Sequence, residues 1–359
     1  MKIETKQLTE ALQRLRPIVG RRSGVPILQS LRLHATQKRL NILASNLDEF
    51  QLEKLECEGE LEPVCISYER LMYALGGDTL TMKITKKDVL VIKFDRNEII
   101  LATQSAEDFP AMPEEKGGVK IGVNCADLAV DFKLASWVAP KTYKNFILQS
   151  VHVLGTPKML TCEATDGRNL ARICHPLMCG DFEILVPTDF VANFSSAIER
   201  KDSELTVSEG STRIDYDGGA YHCRQLEGKY PNTRPVTDGP TKQIGEFDPS
   251  ELVEVLSRIE NYYVPARDPI AELSFSKDGI EIKFRETTGE LELFFEGKFE
   301  KHACKVNPNS LLRCLRAIPE DKCKLFRDED GKKLVLTSGN LEIHTTNVLA
   351  DFQAKPKTP

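Results

Sequence analysis

The residues with the most chemical potential in this chain are a loose cluster of Cys162, Cys174, His175 and Cys179, the acid pair Glu107 and Asp108, and several groups of cations. Thiols and an imidazole can ligate zinc, but structural zinc sites pair their cysteines at CxxC-like spacing, and no such spacing or HxxxH pair occurs here. No metal is therefore expected, and Cys162 and Cys174 read as small hydrophobes inside strands. Paired carboxylates can do acid–base work only if they converge in a cleft, and the acid before Phe109 also suits a turn. No GxSxG, P-loop or GxGxxG followed by a helix is present, and the six histidines stand apart from any nucleophile. These absences argue for a protein without catalysis and without a cofactor. The cations group differently: Lys6, Arg14, Arg16, Arg21 and Arg22 lie on and just after the first amphipathic segment, and Arg313 and Arg316 lie on the last one. Such groups can neutralise phosphates, although for any single one of them a solvated helix face is the better account.

The elements that position these groups alternate between two periods. Leu8, Leu12, Leu15 and Ile18 recur at three and four, which predicts a helix. The run Phe50 to Glu58 alternates with period two, which predicts a strand with one face in water. Further helices are predicted over 67–75, 125–138, 188–199, 249–262 and 309–317. Asp248 and Pro249 supply a cap and a first-turn proline for one of them. Asp-Gly pairs beginning at Asp166, Asp217, Asp278 and Asp330 separate strand-like runs, so tight hairpins and antiparallel sheets are expected. Net charge is −6 and 41% of residues are hydrophobic, which excludes a chain that coats nucleic acid over its whole surface and fits a soluble, cytoplasmic protein with no membrane segment. At 359 residues the chain exceeds one ordinary core.

The order of elements repeats. Each third reads as strand, long helix, strands, shorter helix, three strands. The shorter helices begin near Ser67, Thr188 and Pro308, a spacing of about 120 residues that suits a domain rather than a solenoid unit. The expected class is α+β: three similar domains over 1–115, 119–238 and 242–353, each with two helices packed on antiparallel sheets. The polar stretches 113–118 and 236–242 read as boundaries, and 354–359 as a disordered tail.

Short motifs spaced along the first two thirds resemble those of the bacterial sliding clamp family, the beta subunit of DNA polymerase III. They are Val25-Pro26-Ile27-Leu28, Ser45-Asn46-Leu47-Asp48, Ala106-Glu107-Asp108-Phe109-Pro110, Ala164-Thr165-Asp166-Gly167, Val186-Pro187 and Glu227-Gly228-Lys229-Tyr230-Pro231. The last third matches by pattern only. The resemblance implies a head-to-tail homodimer whose six DNA-clamp domains close into a ring around double-stranded DNA. It implies Arg14, Arg16, Arg21, Arg22, Lys144 and Phe146 as DNA contacts, with Arg22 placed just before the VPIL motif. It further implies a pocket built from Phe146, Ile147, Thr165, Gly167, Arg168, Asn169, Leu170, Pro231 and Val236. There, short linear peptides of DNA polymerase, clamp loader and repair proteins would dock. Ile99 and Leu101 in the first domain, and Tyr262 and Tyr263 in the third, are the implied dimer contacts. Two departures stand out. Family members carry a histidine between the glycine and arginine of the pocket hairpin, where this chain has Arg168 followed by Asn169. The family ends in a short apolar segment that completes the pocket, whereas this chain ends LADFQAKPKTP, with Val348, Leu349 or Phe352 as substitutes. Alternatives are a clamp paralogue with altered partner binding and a soluble enzyme on a similar scaffold.

Overall fold

The computed structural model describes residues 1–20, 24–85, 89–115, 117–141, 146–197, 202–262, 269–286 and 289–346. The first third contains β1 (Lys2–Glu4), α1 (Thr5–Leu15), β2 (Ser30–Thr36), β3 (Arg39–Ser45), β4 (Glu49–Glu56), β5 (Leu61–Ser67), α2 (Tyr68–Tyr73), β6 (Thr79–Ile84), β7 (Val89–Phe94), β8 (Asn97–Ala102) and β9 (Gln104–Ser105). The middle third contains β10 (Val119–Asn124), α3 (Cys125–Ser136), β11 (Ser150–Thr156), β12 (Met159–Thr165), β13 (Asn169–His175), β14 (Phe182–Pro187), α4 (Thr188–Ala197), β15 (Asp202–Ser208), β16 (Ser211–Tyr216) and β17 (Gly219–Arg224). The last third contains α5 (Arg234–Thr237), β18 (Thr241–Phe247), α6 (Pro249–Tyr262), β19 (Ala271–Phe275), β20 (Gly279–Glu286), β21 (Gly289–Glu296), β22 (His302–Val306), α7 (Pro308–Arg316), β23 (Cys323–Asp328), β24 (Lys333–Ser338) and β25 (Leu341–Thr346).

The chain forms two compact units. One comprises residues 1–133, 155–157 and 178–227, and the other 134–154, 158–177 and 228–359. In the first, strands run β1-β6-β7-β8 in one sheet and β10-β15-β16-β17-β4-β3-β2-β5-β9 in another; in the second they run β11-β12-β13-β25-β24-β23-β18 and β21-β20-β19-β22. The class is α+β with antiparallel pairing, as the Asp-Gly turns predict. Gly167, Gly218, Gly279 and Gly331 all carry positive φ between consecutive strands. The sequence repeat and the compact units do not coincide, because strands of the middle third join sheets of both neighbours through β17–β4 and β13–β25. Pairing in this way satisfies edges that separate small sheets would leave open.

The helices follow the predicted apolar faces. Leu8, Leu12, Leu15 and Ile18 are fully buried, each contributing roughly 1.5–3 kcal/mol relative to exposure. Helix α6 spans the predicted 249–262, with Asp248 accepting from the Ser250 amide at 2.8 Å as its cap. At the expected boundary 236–242, a short helix runs to Thr237 and β18 begins at Thr241. The face of strand β4 that carries Glu49, Gln51 and Glu53 is buried rather than wet, and only the end of the other face, at Lys54 and Glu56, reaches solvent. Pairing to β17 and packing against α1 cover that face, and polar partners take the place of water.

Candidate functional site

The β12–β13 turn is shaped by side chains acting on its own backbone. The Asp166 carboxylate accepts from the Arg168 amide at 2.9 Å and the Asn169 amide at 2.7 Å. Thr165 Oγ1 accepts from the Gly167 amide at 3.0 Å and donates to the Asn169 carbonyl at 2.6 Å. Gly167 has φ +86°, in the region where a Cβ is strained, so glycine suits the tip. This local network is the reason a sequence with Thr-Asp-Gly folds into a rigid turn here.

Asn169 then fastens the turn to the last third of the chain. Its Oδ1 accepts from Ser310 Oγ at 2.8 Å on α7 and from Thr345 Oγ1 at 2.7 Å on β25, while its Nδ2 donates to Asp166 at 3.0 Å. The Thr346 amide donates to the Arg168 carbonyl at 3.1 Å. Asn169 and Leu170 are buried, whereas Gly167 and Arg168 face solvent. Asn169 therefore acts as an internal strut. Cys314 also approaches its Oδ1, and burial pushes that thiol's pKa up to about 12.

A second polar group lies behind the turn. Tyr230 Oη accepts from the Thr165 amide at 2.9 Å, and its ring stacks on His152 with centroids 4.5 Å apart. Burial is the main cause holding the Tyr230 phenol well above its usual range. His152 Nδ1 lies 2.9 Å from the Glu163 carboxylate, which also accepts from Thr233 Oγ1 at 2.9 Å. The Lys333 ammonium donates to the Val236 carbonyl. By these links the segment 230–237, including exposed Pro231 and half-buried Val236, is bound to β12 and β24. Ile147 sits tightly on Gly228, where a Cβ would come within 2.3 Å of its Cδ1. Phe146 beside it is 55% exposed. Phe146 and Ile147, the turn 165–170 and the segment holding Pro231 and Val236 thus all lie in the second compact unit. The anchoring by Tyr230, Glu163, His152 and Thr233 was not foreseen. A buried glutamate in a strand offers only its type as a signal.

The remaining expected residues are placed less uniformly. Arg14 pairs with Glu53 at 2.7 Å, with the arginine side chain 26% exposed and the glutamate 1%. Arg16 is exposed at the end of α1. Arg313 stacks over Trp137 at 5.6 Å, and Arg316 bonds Glu260 at 2.8 Å. Ile99 and Leu101 are half-buried on β8, the last strand of its sheet, which pairs with β7 alone. Tyr262 ends α6. Arg21, Arg22, Lys144, Tyr263, the side chain of Tyr262 and the tail from Asn347 lie outside the described residues. Among the described residues no group of three or more histidine, cysteine or acidic side chains is arranged to hold a metal ion, and no helix is long and apolar enough to cross a membrane. The nine cysteines described are free thiols.

The fold is that of the DNA sliding clamps. The protein aligns with the beta subunit from DNA polymerase of Streptococcus pyogenes over 97% of its length and 99% of the other's, at TM-score 0.88 and 17% identity. It aligns equally with DNA polymerase III subunit beta from Pseudomonas aeruginosa, at TM-score 0.88 and 18% identity over 97% and 99%. In sequence, it is 23% identical to the beta sliding clamp of Vibrio cholerae over 71% of this chain and 72% of that one. The Caulobacter vibrioides beta sliding clamp is 24% identical over 77% and 75%. The family model of the DNA polymerase III beta subunit N-terminal domain matches residues 1–113. In fold along the whole chain, and in sequence over most of it, the protein is similar to the bacterial DNA polymerase III beta subunits, the beta sliding clamps.

Proposed function

We propose that the protein is a non-catalytic processivity factor that encircles duplex DNA as a homodimeric ring of six domains and tethers replication and repair proteins through short peptides. The observation that carries this reading is the clamp fold along 97% of the chain. The three-domain division at 1–115, 119–238 and 242–353 follows the element repeat, with the middle domain sharing sheets with both neighbours. Two strand edges suit head-to-tail closure: β8, which presents Ile100 at 61% exposure, and β21, which presents Phe294 at 50%. Ile99, Leu101, Tyr262 and Tyr263 would flank that contact. Topological linkage lets individual DNA contacts stay weak, so Arg16, Arg21, Arg22 and Lys144 need only a shallow electrostatic hold on phosphate, with Phe146 as an apolar contact.

The peptide pocket would be walled by the rigid turn and the segment anchored by Tyr230. Apolar anchors would rest on Phe146, Ile147, Leu170, Pro231 and Val236 while backbone groups fix direction. Altered partner choice is favoured by one feature: Asn169 turns inward, so Arg168 alone of the pair faces an arriving peptide. The test is retention on nicked circular DNA after loading, followed by linearisation. A clamp leaves with the cut, while retention that outlasts the cut, or none on the circle, refutes the ring. Arg22→Ala should weaken association and lower its salt dependence with the dimer intact; an unchanged salt slope removes Arg22 from the DNA surface.

A further inference from the structure

The turn between β3 and β4 repeats the side-chain-to-backbone bonds that shape the turn between β12 and β13, at an offset of 120 residues. Asn46 Oδ1 accepts from the Asp48 amide at 3.1 Å and the Glu49 amide at 2.7 Å, as Asp166 does for Arg168 and Asn169. Ser45 Oγ accepts from the Leu47 amide at 3.0 Å, as Thr165 does for Gly167. The Arg224 amide donates to the Asp48 carbonyl at 2.8 Å, matching Thr346 on Arg168. Even the inward strut recurs: Glu49 accepts from Asn193 on α4 at 3.1 Å and from Tyr221 at 2.6 Å, where Asn169 is held by α7 and β25.

Three features of this first turn reach beyond structural duplication. A cavity of about 540 Å³ opens beside it, with Pro17, Pro187 and Leu226 as apolar wall, Asp48, Asp189 and Glu49 as acids, and Arg224 as the one cation among the described residues lining it. The tip residue is Leu47, with φ +83° and 55% exposure. Glycine occupies the equivalent position 167 at no strain, so a leucine here is costly both in backbone and in hydration. The charge at the exposed turn position is reversed, Asp48 standing where the other turn has Arg168.

We infer that the cavity beside the β3–β4 turn is a second peptide-docking site, on the repeat of the turn that borders the proposed pocket, that takes an apolar partner segment carrying a lysine or arginine. Leu47 and the proline wall cover the apolar side chain while Asp48 and Asp189 face the cation. The two sites then sort partner segments by charge. The inference rests on the proposed function in one respect, that this turn architecture serves peptide capture; DNA encirclement is not needed for it.

The test uses the full chain and two fluorescein-labelled hexapeptides, one alternating leucine with arginine and one alternating leucine with glutamate, titrated by fluorescence anisotropy. The arginine peptide should bind more tightly, and Asp48→Asn with Asp189→Asn should weaken it about tenfold, each screened charge being worth a few-fold. Leu47→Gly should weaken it about fivefold while leaving the thermal midpoint unchanged or raised, since it relieves the positive φ. Arg168→Ala should leave arginine-peptide binding as it was. Equal affinity for the two peptides, insensitivity to the Asp48 and Asp189 substitutions, or loss caused only by Arg168→Ala overturns the second site. Retention on circular DNA is read separately, so a ring that forms without charge-selective capture refutes this inference and not the ring.

Discussion

Replacing Asn169 with alanine tests whether the β12–β13 turn depends on its internal strut. The substitution removes the acceptor of Ser310 at 2.8 Å and Thr345 at 2.7 Å, and the donor to Asp166 at 3.0 Å. Three lost bonds at about 1 kcal/mol each, plus about 1 kcal/mol for a buried Thr345 hydroxyl left without its partner, give a cost of about 4 kcal/mol. Urea unfolding of the full chain, combined with hydrogen exchange at the amides of 165–170, reads both the global and local effect. An Asn169→Ala, Ser310→Ala double-mutant cycle should return a coupling of about 1 kcal/mol. Destabilisation below about 1 kcal/mol, or additive single mutants, would mean that water replaces the amide and that the strut argument is wrong.

Three further outcomes follow from the same geometry. Arg14→Ala strands the Glu53 carboxylate, which is 1% exposed, and should cost about 3 kcal/mol in urea unfolding with an unchanged salt slope for DNA; a reduced slope with little destabilisation would make Arg14 a phosphate contact. Leu170→Ala should lower stability by about 3 kcal/mol because the side chain is buried, and a loss of peptide affinity in a still-folded variant would add pocket lining to its role. Burial holds the His222 and His302 imidazoles below the ordinary value of 6.5. The folded chain then binds fewer protons than the unfolded one just below that value, so stability is full above it and falls as pH drops through 6.5. Urea midpoints at pH 7.5 and 5.5 (values set on the order of one unit either side) should differ, and His222→Asn with His302→Asn should flatten the difference.

Periodicity made the scaffold readable. The leucines at 8, 12 and 15 and the Asp-Gly turns announce helix faces and hairpins because burial on one helical face and positive φ at a tip are local demands. The turn 165–170 was legible for the same reason. What pairing does across distant segments is not legible: Glu53 falls in the run read as having a wet face, and Glu49 and Glu163 carry no signal beyond their type, yet each is buried and is neutralised or bonded by Arg14, Tyr221 or Thr233. The inward turn of Asn169 likewise depends on Ser310 and Thr345, more than a hundred residues away. Residue type alone carries no mark of such partners, and the same distance separates the two turns whose likeness appears only in their bonds.

The assembled form in solution tests the ring most directly. Particle imaging combined with sedimentation should give two chains of 40.3 kDa joined end to end around an opening that admits a DNA duplex. A compact single chain, or a dimer with no such opening, would contradict it.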